Sequence, residues 1–186
     1  YGEGFAAAPQ AARYAEKVSH GEVGVTLVPA GHVLGSAQVV LNWKGITAVI
    51  SGDYKRRNDP TCPPFEPVPC NLFVSEATFG LPVFHFPPAE EEVAKLLKSV
   101  KLFPDRTHLV GAYALGKAQR LIALLRQAGY DKPLYLHGAL DAMNALYEAH
   151  GVALGPLMPA TDSSRNALPG EIVIAPPSAI ADRWAR

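Results

Sequence analysis

Two residues with metal-binding chemistry follow apolar runs near the start of the chain. His32 comes just after the run Val25–Val28 and the turn Pro29–Gly31, and Asp53 follows the run Ile46–Ile50. Each run is closed by turn residues, which is typical of a strand. Imidazole and carboxylate groups are a common ligand pair for divalent metals. From residue types alone, a turn-capping histidine and a turn-starting aspartate remain open alternatives.

Two other charged residues could orient or contact a substrate. Glu76 lies at the end of an apolar run, and its position alone favours a partly solvated acid at a strand end. Lys55 opens a short basic cluster directly after Asp53. For this cluster, a solvated turn and a phosphate contact are equally good interpretations.

The stretch 111–118 nearly matches the phosphate-binding pattern G-x-x-x-x-G-K-[ST], between a predicted strand and a predicted helix. Ala118 replaces the hydroxyl that would hold magnesium, so we do not interpret the stretch as a nucleotide-hydrolysing site. Lys117 begins the helix, and helix N-termini favour anions. Lys117 is therefore a candidate contact for one backbone phosphate.

Local patterns predict an α/β chain that changes character near residues 81–88. The first part has a predicted helix over 7–18, three strands within 23–53, a long ordered loop over 54–70 and a strand over 71–77. Beyond it we predict helices over 90–103, 117–128 and 140–150 and strands over 108–114, 133–137 and 171–176. Such alternation is typical of a small parallel sheet flanked by helices.

Composition narrows the functional classes. The chain has 186 residues, 48% hydrophobic and 18% charged, with a formal net charge of zero. These values are typical of a soluble globular protein and give no support to a strongly basic nucleic-acid binder. No apolar run reaches the roughly 18 residues that span a membrane. Cys62 and Cys70 fit no zinc-ribbon spacing, and we expect reduced thiols in a cytoplasmic protein rather than a disulfide.

Three motifs together resemble a known superfamily. They are GHVLGSAQ at 31–38, SGDY at 51–54 and SEATFG at 75–80. They resemble the metallo-β-lactamase superfamily, and more closely its β-CASP nuclease branch. The run 51–82 is similar to the DNA-ligase-associated exonucleases of that branch, also described as RNA 3′-end-processing-factor-like. YALGKAQRL at 113–121 and LYLHGAL at 134–140 agree with this resemblance.

The resemblance implies a fold, an activity and a set of roles. The fold would be α/β, with a partial metallo-β-lactamase αββα lobe over 1–80 and a parallel α/β β-CASP lobe over 81–186. His32 would bind one of two metal ions, Asp53 would bridge both, and Glu76 would orient a later catalytic histidine. The implied protein is a DNA exonuclease acting beside an ATP-dependent DNA ligase in repair. Its implied cofactor is two zinc ions, with manganese as an alternative.

The chain also departs from the family pattern. The family has an H-x-H-x-D-H motif upstream of the position of His32 and two later histidines, and none of these is found here. We therefore expect the 186 residues to be a piece of a longer protein and to be inactive alone. The alternatives are a non-catalytic nucleic-acid-binding module with a degenerate metal site, an RNA-processing nuclease, and a thioester or lactone hydrolase of the same superfamily.

Overall fold

A computed structural model describes residues 10–161, 168–181 and 184 of the chain. The fold divides into two compact units, Tyr1–Thr78 and Phe79–Arg186. Over the described ranges, no helix is both long enough and apolar enough to cross a membrane. Cys62 and Cys70 are half-buried thiols rather than a disulfide.

The first unit is built on a five-stranded sheet in the order β1-β2-β3-β4-β5. Strands β1 to β4 pair antiparallel, and β5 pairs parallel to β4. The β3–β4 turn is formed by Lys44 and Gly45, both with positive φ, as a two-residue hairpin turn of this kind requires. The strands are Lys17–His20 (β1), Val23–Pro29 (β2), Ala37–Trp43 (β3), Ile46–Ile50 (β4) and Leu72–Val74 (β5).

The three strands predicted within 23–53 are confirmed as β2, β3 and β4, but the helix predicted over 7–18 is wrong over its described part. Residues 17–20 form β1, which pairs with β2 through Lys17 and Thr26. Ala15 has a φ of 63°, which no right-handed helix allows. The residues are good helix formers but their amphipathicity is weak, and pairing with β2 supplies hydrogen bonds that outweigh the helix propensity. Residues 7–9 lie outside the described part.

The second unit contains a four-stranded parallel sheet in the order β6-β9-β7-β8. The predicted alternation of helices and strands is confirmed, with each element within a few residues of its predicted range. β8 and the short α4 were not predicted. The elements are α1 (Ala89–Leu102), β6 (His108–Gly111), α2 (Lys117–Gln127), β7 (Leu134–Leu136), α3 (Asp141–Ala149), β8 (Leu157–Pro159), β9 (Ile172–Ala175) and α4 (Pro177–Ile180).

The core of the second unit lies around β9. All four residues of this strand are buried, as expected for an inner strand of a parallel sheet covered on both faces. Ile122 and Leu125 of α2 are fully buried, as is Tyr147 of α3. The helices therefore contribute side chains to the same core as the sheet.

Arg126 stabilises the edge of this sheet at which β7 and β8 begin. Its Nε donates to the carbonyl of Leu154 at 2.9 Å, and its Nη1 donates to the carbonyls of Tyr130 and Lys132 at 2.6 and 2.7 Å. Its Nη2 donates to the carbonyl of Pro156 at 2.8 Å. Burial lowers the pKa of the guanidinium, which still stays charged at neutral pH. One side chain thus ties together the segments leading into β7 and β8.

Arg126→Ala is expected to lower the free energy of unfolding by about 2–4 kcal/mol, because several carbonyls lose a charged donor. Arg126→Lys retains the charge but not the planar fork, so it should recover only part of the loss. Lys132→Ala is the matched control, since it removes only an ion pair, at 3.8 Å, between the exposed Lys132 ammonium and Glu171. Urea denaturation measures all three. An Arg126→Ala protein as stable as the control would refute this role.

Candidate metal centre

His32 and Asp53 lie at the same edge of the first sheet. Strands β2 and β4 both pair antiparallel with β3, so they run in the same direction and end at one edge. With β3 between them, the two strands are roughly 10 Å apart. The loops that follow nevertheless bring the side chains together, and His32 Nε2 lies 3.8 Å from Asp53 Oδ2.

The backbone around His32 is held by a glycine and a serine. Gly31 has a φ of +68°, and a Cβ there would lie 2.5 Å from the carbonyl oxygen of Lys55 and 2.7 Å from the amide nitrogen of Phe65. Only glycine fits at this position. Ser36 Oγ accepts hydrogen bonds from the amide of His32 at 3.0 Å and from the amide after it at 3.1 Å. The imidazole therefore projects from an ordered turn.

The segment that carries Asp53 is bonded to neighbouring strands. The buried Ser51 donates its amide to the carbonyl of Val74 in β5 at 2.9 Å. Two residues beyond Asp53, the amide of Lys55 donates to the carbonyl of Ala30 at 3.0 Å. This last bond joins the chain after β4 to the chain just before His32. It fixes the two candidate ligands relative to each other.

The predicted loop over 54–70 supports the same edge. Gln38 is fully buried, and its Nε2 donates to the carbonyls of Pro29 at 3.0 Å and Glu66 at 2.7 Å. The Lys55 ammonium forms an ion pair with the buried carboxylate of Asp59, which in turn accepts from the Thr61 hydroxyl at 2.6 Å. Lys55 was a candidate substrate contact, and this largely buried ion pair favours a structural role for it.

The geometry of the pair fits two ligands of one cation. Zinc lies about 2.0–2.2 Å from imidazole nitrogen or carboxylate oxygen, so two tetrahedral ligands should be about 3.4 Å apart. The observed 3.8 Å requires only a small adjustment, and side-chain exposures of 40% for His32 and 73% for Asp53 leave room for an ion. Among the residues that the structure describes, no group of three or more potential metal ligands is found. Two protein ligands are fewer than the three that a zinc site normally takes.

Glu76 follows β5, which runs parallel to β4, so it lies at the same edge as Asp53. Its carboxylate Oε2 accepts from the amide of Thr78 at 2.8 Å, and its own amide lies 3.4 Å from the hydroxyl oxygen of Ser51. The side chain is half-buried. One carboxylate oxygen thus holds the following turn, which leaves the other available to a second donor.

Lys117 lies in the second unit, at the first position of α2. Its Nζ lies over the ring of Tyr113, 4.7 Å from the centroid. At the start of α2, three amides that a phosphate cradle would use are already bonded within the protein. The amides of Gly116, Lys117 and Ala118 donate to Gln119 Oε1, the Leu115 carbonyl and the Tyr113 carbonyl. The near match to the nucleotide-binding pattern therefore reflects a different local structure.

Comparison with known proteins gives several relatives. A probable DNA ligase of Opitutus terrae is 30% identical over 172 residues, which are 89% of this chain and 16% of that protein. Cleavage and polyadenylation specificity factor subunit 3 of Dictyostelium discoideum is 33% identical over 72% of this chain and 18% of its own length. Endoribonuclease ysh1 of Aspergillus fumigatus is 35% identical over 54% of this chain and 12% of its own length. No protein-family model matches the chain.

The fold is α/β, with a partial metallo-β-lactamase lobe followed by a parallel β-CASP lobe, as the motifs implied. The relatives are members of the metallo-β-lactamase superfamily and its β-CASP branch, and the chain is homologous to them over as much as 89% of its length. The chain spans less than a fifth of the length of these relatives.

Sequence reasoning missed the residues that support the pair. Gly31, Ser36 and Gln38 all lie in the motif GHVLGSAQ, but we assigned a role only to its histidine. A signal existed for Gln38, since it is a polar residue at the start of an otherwise apolar run. The contact between Gly31 and the loop after β4 had no local signal, because its partners are more than twenty residues away.

Proposed function

We propose that this chain is part of a metal-dependent nuclease and contributes His32 and Asp53 to a two-metal centre. The observation that carries the proposal is the approach of His32 Nε2 to Asp53 Oδ2 at 3.8 Å, at a sheet edge built by two parallel-running strands. Relatives named as endoribonucleases support it. Zinc is the metal that the imidazole–carboxylate pair fits best, and manganese is the alternative.

The proposed roles of the three residues follow from the nitrogen and oxygen atoms that their side chains present. His32 would hold one cation through Nε2 of its imidazole, and the carboxylate of Asp53 would be a ligand of both cations of the centre. Glu76 orients a catalytic imidazole through the carboxylate oxygen that does not hold the Thr78 amide. Divalent metals in such a centre supply Lewis acidity and lower the pKa of a water molecule. The chain's part is to hold these ligands on an ordered edge.

For the substrate we propose DNA, cleaved from an end, by a cytoplasmic protein that acts beside a DNA ligase. The support is the relative named as a probable DNA ligase, which matches 89% of the chain. RNA is the second candidate, supported by relatives named as a polyadenylation factor and an endoribonuclease. A longer protein containing this segment should be given end-labelled single strands of DNA and RNA of the same sequence. Mononucleotide release from DNA supports the first candidate, and internal cuts in RNA support the second.

The isolated 186 residues are expected to bind zinc with less than one ion per chain and to show no nuclease activity. His32 and Asp53 supply two ligands, whereas a zinc site normally takes at least three protein ligands. Metal analysis after purification without chelator, and nuclease assays with added zinc or manganese, measure both points. Robust turnover that disappears in His32→Ala would show that the ligand set is already complete in this chain.

A further inference from the structure

One face of the first sheet is apolar over its four strands β2 to β5. Residues directly opposite each other in paired strands share a face of the sheet. On this face, every residue that β2, β3, β4 and β5 contribute is apolar. Its opposite pairs include Leu41 with Ala48, Trp43 with Ile46 and Ala48 with Leu72. We call this surface the apolar face.

The two faces of the sheet differ in burial. On the other face, Val49 is fully buried and Val40 is 5% exposed. On the apolar face, Ile46, Leu72 and Val74 are 52%, 57% and 48% exposed. Within the described part of the chain, the apolar face is therefore open to solvent at β4 and β5, whereas the other face is covered.

The apolar face is large enough to act as an interface. Five strands about 4.8 Å apart, with about five residues each and a rise of roughly 3.3 Å per residue, give a flat area on the order of 400 Å². The largest apolar patch of a typical monomer measures about 300–600 Å² and is often functional. A standard interface buries about 800 Å² on each partner. The size therefore suits a dimer of modest affinity.

The charges favour a second copy of this chain as the partner. The apolar face has no charged residue on β2 to β5, so it offers no charge pattern that would select a foreign partner. At its rim, the Lys44 ammonium lies 3.6 Å from the Glu22 carboxylate, so both signs are present. The formal net charge of the chain is zero, so two copies have no net repulsion at neutral pH.

We propose that two copies of this chain pack their apolar faces together as a symmetric sandwich of two sheets. A two-fold interface uses the same surface on both partners, and the apolar face is complementary to itself in chemistry. Stacked sheets lie about 10 Å apart and interdigitate their inner side chains. This association goes beyond the proposed nuclease function and does not depend on the metal ligands.

The test is sedimentation velocity of the 186-residue chain in EDTA, from about 1 to about 200 μM, where a dimer of modest affinity dissociates. A reversible equilibrium between monomer and dimer is expected. Ile46→Lys and Leu72→Lys place a charge in the interface, and each should weaken the dimer about 10-fold or more. Sodium sulfate should strengthen the dimer, because it favours apolar burial. A dimer that sulfate dissociates would contradict an apolar interface.

Phe73→Lys is the matched control. Phe73 lies between Leu72 and Val74 in β5, but it pairs with the buried Val49 and so belongs to the other face. It is 44% exposed, which is close to the exposure of its two neighbours. Because its side chain points away from the proposed interface, Phe73→Lys should change the affinity of the dimer by less than about 2-fold.

Three further results would overturn the proposal: a monomer at every concentration, species larger than a dimer, or equal losses for Leu72→Lys and Phe73→Lys. Equal losses would show that chains pair through the edge of β5 rather than through the apolar face. Circular dichroism of each variant separates lost association from lost folding, and Ile46→Lys and Leu72→Lys test the face on two different strands. A monomeric chain would leave the metal-centre proposal intact, since His32→Ala should not change the association.

Discussion

Asp53→Ala, in a longer protein that contains this segment, is expected to reduce phosphodiester hydrolysis by about 1000-fold or more. Asp53 offers the only carboxylate within 4 Å of His32 among the described ion pairs, at 3.8 Å. Loss of a ligand from the proposed two-metal centre should remove several kcal/mol of charge stabilisation in the transition state, and each 1.4 kcal/mol corresponds to a tenfold change in rate. Metal content should fall together with turnover. Steady-state kinetics and metal analysis of the purified variant measure both.

The control for this experiment is an exposed carboxylate far from the site in sequence. Asp105 lies in the loop between α1 and β6 and is exposed. Asp105→Ala should leave both metal content and turnover unchanged. Asp53→Asn keeps the shape of the side chain but loses the charge, so it should resemble Asp53→Ala rather than the wild type. An Asp53→Ala protein with its full metal content and normal turnover would refute the assignment.

Gly31→Ala is expected to destabilise the first unit by at least about 3 kcal/mol and to displace His32. The added Cβ would lie 2.5 Å from the carbonyl oxygen of Lys55 and 2.7 Å from the amide nitrogen of Phe65, and neither backbone atom can move alone. The same contact surface joins the turn before His32 to the chain after Asp53. In a variant that folds, His32 and Asp53 should therefore lie farther apart than in the wild type. Urea denaturation measures the first effect, and metal affinity in a longer protein measures the second.

Gly35→Ala is the matched control, because it separates backbone strain from the steric clash. Gly35 has a φ of +79°, similar to that of Gly31, but a Cβ there meets nothing within 4 Å. Gly35→Ala should lower the free energy of unfolding only by the cost of a left-handed conformation in a non-glycine residue, about 1–2 kcal/mol. Equal destabilisation by the two substitutions would show that the turn tolerates a side chain at Gly31. It would also remove the argument that this glycine positions His32.

Local sequence patterns predicted most of the elements but not how they are arranged. Runs of β-branched residues closed by turn residues predicted β2, β3 and β4, and they placed His32 and Asp53 directly after strands. The helix predicted in the β1 region was wrong for a specific reason. Its residues have moderate helix propensity, and their pairing with β2 in a defined register depends on the tertiary structure. The order of the second sheet, with β9 between β6 and β7, was likewise not predicted.

The motifs alone indicated the resemblance to the superfamily, and local patterns predicted the strand-end positions of the two candidate ligands and the alternation that makes a parallel sheet. These depend on residues that are close along the chain, so local propensity and periodicity can predict them. The folded structure was needed to show that His32 and Asp53 approach to 3.8 Å, that Gly31 has no room for a side chain, and that Lys55 pairs with Asp59. It also placed Lys117 over Tyr113 instead of beside a phosphate cradle. These features depend on hydrogen bonds, packing and side-chain orientations that residue types and spacing do not specify.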